Sequence, residues 1–107
     1  MEISQYNIVV VNLDPIIGSE IKKTRPCVVI SPDEMNKYLN TVVIAPVTSQ
    51  SKSYPTRVNL KNKKTSGWIV VDQIRTIDKR RIIKIVDKLS SKSIEAVKQI
   101  IKETYVK

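Results

Sequence analysis

The 107-residue chain contains no histidine, which excludes imidazole acid–base chemistry, histidine-ligated zinc and a Ser-His-Asp arrangement. Its only thiol, Cys27, sits in the apolar run Cys27-Val28-Val29-Ile30 and reads as a buried structural cysteine. One cysteine permits neither an intramolecular disulfide nor a thiolate metal site. Chemistry is left to arginine, lysine, carboxylates, tyrosine and hydroxyls, and two stretches concentrate them. The first runs from Asp14 to Pro26 and carries Ser19, Glu20, Lys22, Lys23 and Arg25. It is longer than an ordinary hairpin loop, and loops of that length in a compact domain tend to be functional or mobile. Pro26 disfavours helix at the preceding position, so Arg25 is expected in extended backbone at a strand entrance. The second stretch, Val47 to Pro55, carries Thr48, Ser49, Gln50, Ser51, Lys52, Ser53 and Tyr54. Its hydroxyls and amides can hold phosphate oxygens and Tyr54 can stack on a base. The plain alternative is a solvated turn.

Lysine and arginine total 19 against 10 aspartate and glutamate, a net charge of +9. Solubility alone asks for a magnitude of about 2 to 8 in a small domain, so the excess leans toward an anionic partner. No basic amphipathic helix with large aromatic anchors is evident, which favours nucleic acid over a membrane surface. The opening residues Met1 to Gln5 lack the basic and apolar regions of a signal peptide, and no apolar stretch approaches a membrane span. A cytoplasmic protein is expected.

The elements that must position these groups are mostly strands. Ile8 to Leu13, Cys27 to Ser31, Thr41 to Val47 (interrupted near its end by Pro46), Thr56 to Leu60, Trp68 to Val71, Ile74 to Ile77 and Ile82 to Val86 all have β-rich composition. Asp33 to Leu39 suggests a short helix. Ile94, Val97, Ile101 and Tyr105 fall at helical spacing, with Ser91 as the expected N-cap and Lys98, Lys102 and Lys107 toward the C-terminal end. Many short strands followed by one helix predict a mainly β fold, a small curled sheet or barrel with the helix against it. At this length a single domain over residues 1–107 with one core is expected, and oligomerisation to cover apolar surface would be unsurprising.

Three segments in order carry a resemblance. Asn12-Leu13-Asp14-Pro15, Gly18-Ser19-Glu20 and Thr24-Arg25-Pro26 resemble the opening of the MazF/PemK/Kid toxins. Pro46 to Lys52, with Tyr54-Pro55, is similar to that family's second loop, and Asp72-Gln73-Ile74-Arg75-Thr76-Ile77-Asp78 to its third signature. The resemblance covers nearly the whole chain. It implies an SH3-like β-barrel with a C-terminal helix, a homodimer, and metal-independent cleavage of single-stranded RNA (mRNA) at short sequences, with no cofactor. It also implies a cognate antitoxin, with DNA met only indirectly through the antitoxin complex. By match to the motifs, Arg25 and Thr48 correspond to the family's principal catalytic pair and Glu20 to an acidic residue also implicated there. Asp72 matches a residue with the base role in some plasmid-borne relatives. Ser19, Lys22, Ser49, Gln50, Lys52, Tyr54, Gln73 and Arg75 are candidate RNA contacts beside them.

The chain departs from the pattern twice. Tyr6-Asn7 stands where relatives usually have Gly-Asp, and Val70 stands where plasmid-type relatives place an arginine beside the aspartate. The second departure shifts weight from Asp72 toward Arg25 and Thr48. Two other functions share the barrel: a gyrase-poisoning toxin of the CcdB kind, and a nucleic-acid-binding barrel without catalysis. The Arg25 and Thr48 loops favour the nuclease. Arg75 and Asp78 fit either an ion-pair network near Asp72 or RNA contacts, Asp78 to Arg81 fits a solvated turn rather than a phosphate groove, and Trp68 fits the core or a dimer contact rather than a base platform.

Overall fold

The runs of β-branched residues form strands because their side chains pack well on a pleated surface. In the computed structural model, which describes residues 1–13, 24–62 and 64–106, seven strands and two α-helices follow in order. They are β1 (Asn7–Asn12), β2 (Thr24–Val29), α1 (Asp33–Tyr38), β3 (Thr41–Thr48), β4 (Arg57–Lys61), β5 (Ser66–Val70), β6 (Arg75–Asp78), β7 (Ile82–Lys88) and α2 (Ser91–Tyr105). Among the described residues every strand pairing is antiparallel, in the order β4-β5-β3-β2-β1-β7, with β6 added to β3. The sheet curls without a hydrogen-bonded ladder between β4 and β7 among the described residues. Side chains span that gap instead. Asn62 Nδ2 donates to Asp87 Oδ2 at 3.3 Å and Lys64 Nζ to the Val86 carbonyl at 3.4 Å.

Alternation along the central strands sorts side chains onto two faces. Ile8, Val28, Ala45 and Val47 pack with Val58, Leu60, Ile69 and Val97 of α2, while Val9, Val11, Cys27, Val29, Val42 and Ile44 pack with Ile77 and Ile82. The core is therefore two buried layers rather than the one expected, and strands covered on both faces read as unbroken apolar runs. Burial also settles the chemistry of Cys27: loss of water pushes its thiol up to about 12, against the pull of the Arg25 and Arg75 charges. It stays a neutral thiol.

Pro46 lies inside β3, as the run Thr41 to Val47 implied. β3 pairs with β6 over Thr41–Ile44, with β2 over Ile44–Pro46 and with β5 over Val47–Thr48, so Pro46 lies just before the residues that pair with β5. The helix cap falls one residue earlier than expected: Ser90, not Ser91, accepts the Ser93 N–H through its hydroxyl at 3.2 Å. Val97 is fully buried, Ile94 and Ile101 are half-buried, and the Tyr105 hydroxyl donates to the Val71 carbonyl at 2.8 Å.

Tyr6 has φ 69°, the left-handed region that glycine enters freely. Tyr6 N–H donates to Val29 O at 2.7 Å and its carbonyl accepts from Leu89 at 3.0 Å, which hold the strained conformation while the ring packs on the α2 side of the core. Glycine should therefore outperform alanine at this position. Tyr6→Ala loses the ring and keeps the strain; Tyr6→Gly loses the ring and relieves it. We expect Tyr6→Gly to be the more stable by about 1 kcal/mol in denaturant unfolding. The opposite order would show that the left-handed backbone is not retained.

Candidate active site

Arg25 and Thr48 lie 23 positions apart in sequence and meet through strand register. β2 and β3 pair Val29 with Ile44, Val28 with Ala45 and Cys27 with Pro46. Arg25 on β2 and Thr48 on β3 lie just beyond the same end of that antiparallel pairing. Both line an open cleft of about 520 Å³ with Thr24, Pro26, Val47, Ser49 and Ser66. Arg25 is exposed at its mouth. Thr48 is half-buried; its hydroxyl donates to the Gln50 carbonyl at 3.1 Å and accepts the Gln50 N–H at 3.4 Å, so its rotamer is already constrained.

Gly67, to which the sequence reading assigned no role, shapes the floor of this cleft. Thr48 pairs with Trp68 on β5, and a Cβ built on Gly67 would lie 2.5 Å from the Thr48 carbonyl oxygen. Its φ of +145° is likewise open to glycine. The two strands reach this separation at Thr48 because position 67 carries no side chain.

A second cluster flanks the cleft. Arg57, the first residue of β4, pairs with Val70 on β5 and reaches Asp72 in the following 3₁₀ turn. Its Nε donates to Asp72 Oδ1 at 3.4 Å, its Nη1 donates to Ser51 Oγ, and its guanidinium lies over the Tyr54 ring, 4.8 Å from the centroid. Thr56 Oγ1 donates to the same Asp72 Oδ1 at 2.9 Å. Burial tends to raise the Asp72 pKa, but hydrogen bonds from Thr56, Arg57 and its own backbone, with the Arg57 charge, outweigh it and hold the carboxyl below its usual value.

Sequence reasoning missed Arg57, because in the alternating run Thr56 to Leu60 it reads as one more solvent-facing position. The available signal was an arginine directly after Tyr54-Pro55, ahead of a strand that could pair near Asp72. An ion-pair network does form here, but its cation is Arg57. Asp78 pairs with Arg80 at 3.0 Å and caps the turn over Lys79–Arg81 through the Arg80 N–H. Arg75 is exposed on β6 opposite Ile44, and Gln73 is exposed at the end of the Asp72 turn. Ser49, Gln50 and Lys52 are exposed on the β3–β4 loop, with the Lys52 carbonyl accepting from Ser51 Oγ at 2.8 Å. Trp68 is half-buried on β5, between Thr48 and Asn59. Ser19, Glu20 and Lys22 lie outside the described residues.

An antiparallel sheet with one C-terminal helix, in which Arg25 and Thr48 line one open cleft, defines a small basic mainly β protein of charge +9. Residues 4–105 match the family described as PemK-like, MazF-like toxin of type II toxin–antitoxin system, and the chain belongs to it. Members of this family are endoribonucleases. Among solved structures, the chain is similar to MazF in a MazE-MazF crystal structure from Deinococcus radiodurans, with 26% identity, a TM-score of 0.84, and coverage of 96% of this chain and 95% of that one. A separate MazF structure from the same organism has 26% identity and a TM-score of 0.81, covering 96% of both chains. An endoribonuclease in complex with its cognate antitoxin from a mycobacterial species shares the fold at 16% identity, with a TM-score of 0.80 over 94% of this chain and 91% of that one. No helix among the described residues is long and apolar enough to cross a membrane.

Proposed function

We propose that this toxin cleaves single-stranded RNA, mRNA above all, at short specific sequences, without metal or other cofactor. The 2′-oxygen attacks the adjacent phosphorus and the bond to the 5′-oxygen breaks, leaving a 2′,3′-cyclic phosphate and a 5′-hydroxyl. Negative charge builds on the non-bridging oxygens, where preorganised donors supply the largest catalytic effect. The observation that carries this reading is that Arg25 and Thr48 line one cleft. A guanidinium stays charged and can bond two phosphate oxygens; the threonine hydroxyl adds a third donor. Glu20 takes the 2′-proton in this scheme, with Asp72 in reserve, and the leaving 5′-oxygen takes its proton from water or from Arg25 as the nominal acid. The depressed pKa and occupied Oδ1 of Asp72 make it the weaker base.

Among the described residues, those lining the cleft offer the Arg25 guanidinium and the hydroxyls of Thr24, Thr48, Ser49 and Ser66, which supports a reaction carried by cationic and hydroxyl donors. Its partners on this reading are the RNA, a second copy of the chain, and an antitoxin that presents an acidic segment to the basic surface. Toxins of similar structure are seen with their antitoxins. The test is end mapping on a mixed single-stranded RNA in excess EDTA. We expect fragments with cyclic-phosphate and 5′-hydroxyl ends. An absolute need for magnesium would overturn the mechanism, and binding without any cut would leave a nucleic-acid-binding barrel.

A further inference from the structure

We propose that Tyr54, Arg57 and Asp72 form a base-reading subsite beside the cleft, which accepts a nucleobase carrying an exocyclic amino group and disfavours uracil. The inference rests on the nuclease reading and names what one nucleotide beside the scissile bond must be.

Three features distinguish this cluster from an ordinary surface ion pair. The Arg57 side chain is only 17% exposed, and it is engaged at once by Asp72, Ser51 and the face of Tyr54. It is therefore poorly placed to meet a phosphate and well placed to brace the ring. Tyr54 remains 47% exposed, so an aromatic surface stiffened from one side is open to solvent. A braced, half-exposed tyrosine is a floor on which an unstacked base can lie. The side-chain donors to Asp72, from Thr56 and Arg57, both fall on Oδ1. No side-chain donor among the described residues reaches Oδ2, and the Asp72 side chain is 32% exposed. Oδ2 can thus accept from an amino group such as cytosine N4 or adenine N6, whereas the uracil O4 at that edge would face a carboxylate.

Placement supports the assignment. Thr48 pairs with Trp68 on one side of β5, and Arg57 pairs with Val70 two residues along on its other side. Two strand spacings and two residues separate the pair by about 12 Å, within reach of a nucleotide flanking one held at Arg25 and Thr48. Tyr105, through its bond to Val71 O, anchors the turn that presents Asp72.

The test is sequencing of the cut ends from a pool of single-stranded RNAs randomised around the cleavage site. Wild type should disfavour uracil at one flanking position by about tenfold. Asp72→Asn, whose amide can donate to uracil O4, should bring uracil within about twofold of the other bases at that position alone. Tyr54→Ala should lower kcat/KM by about tenfold whatever the base, and Tyr54→Phe should not. Asp72→Glu, which keeps the charge but moves the acceptor, should alter preference at the same position and serves where the asparagine variant melts early. If wild type cuts RNA and the Asp72 variants keep its base profile, the subsite is refuted while the nuclease reading stands. If folded Asp72→Asn binds RNA but cuts no sequence, Asp72 belongs to the chemistry and the subsite is again refuted. If wild type cuts no RNA, the nuclease reading fails and takes the subsite with it.

Discussion

Arg25→Ala should slow single-turnover RNA cleavage by about 10² to 10³-fold while the melting curve stays that of wild type. The side chain is exposed at the end of β2, so its removal opens no cavity and strips no buried partner. What is lost is a two-pronged donor aimed at the phosphate as its charge grows. Arg25→Lys should recover only part of the rate, because the charge returns without the planar fork. In the same cleft, Thr48→Ala should be severe as well, with Thr48→Ser milder because the hydroxyl survives. Losses confined to RNA affinity, with the single-turnover rate intact, would make Arg25 a binding residue only. Wild-type turnover in folded Arg25→Ala would remove it from the site altogether.

The second large effect is expected at Gly67, which touches no substrate in this scheme. Alanine there would place a methyl group 2.5 Å from the Thr48 carbonyl oxygen and 3.1 Å from both the Thr48 carbonyl carbon and Val47 Cγ1. It would also force a side chain onto a backbone at φ +145°, a conformation that costs about 1 to 3 kcal/mol for other residues. Backbone on one side and a buried valine on the other leave no flexible group to yield. Gly67→Ala should therefore lower unfolding stability by about 2 to 4 kcal/mol, combining that strain with overpacking. Cleavage should also fall at temperatures where the variant is fully folded, because Thr48 must shift. Equilibrium urea unfolding and cleavage assays on one preparation separate the two effects. Unchanged stability would mean that β5 does not approach Thr48 this closely.

Much of the fold could be read along the chain because its causes are local. β-branched runs such as Ile8 to Val11 prefer extended backbone, and helical spacing from Ile94 to Tyr105 needs only its own residues to be recognised. The family motifs were legible for the same reason: each is a short string whose residue types carry the signal. Pro46 shows where local reading stops. The run Thr41 to Val47 could be read as a strand despite Pro46, but that its successive segments take β6, β2 and β5 as partners is decided by the sheet.

The site was legible as a set of residues but not as an arrangement. Arg25 and Thr48 could each be picked out from loop composition and motif, yet nothing near either of them states that they line one cleft. Arg57 looked like a solvated strand position, and Gly67 like any residue before a tryptophan. Register decided all of these. The β2–β3 pairing brings Arg25 and Thr48 to one end and one cleft, the β4–β5 pairing carries Arg57 to Asp72, and the β3–β5 approach demands a glycine. A one-residue slip would turn every side chain of a strand to the opposite face, so register is fixed by burying both apolar layers at once. That selection acts on the whole sheet, and it is why the sequence by itself determined the elements and the candidate chemistry while the tertiary structure alone decided which groups meet.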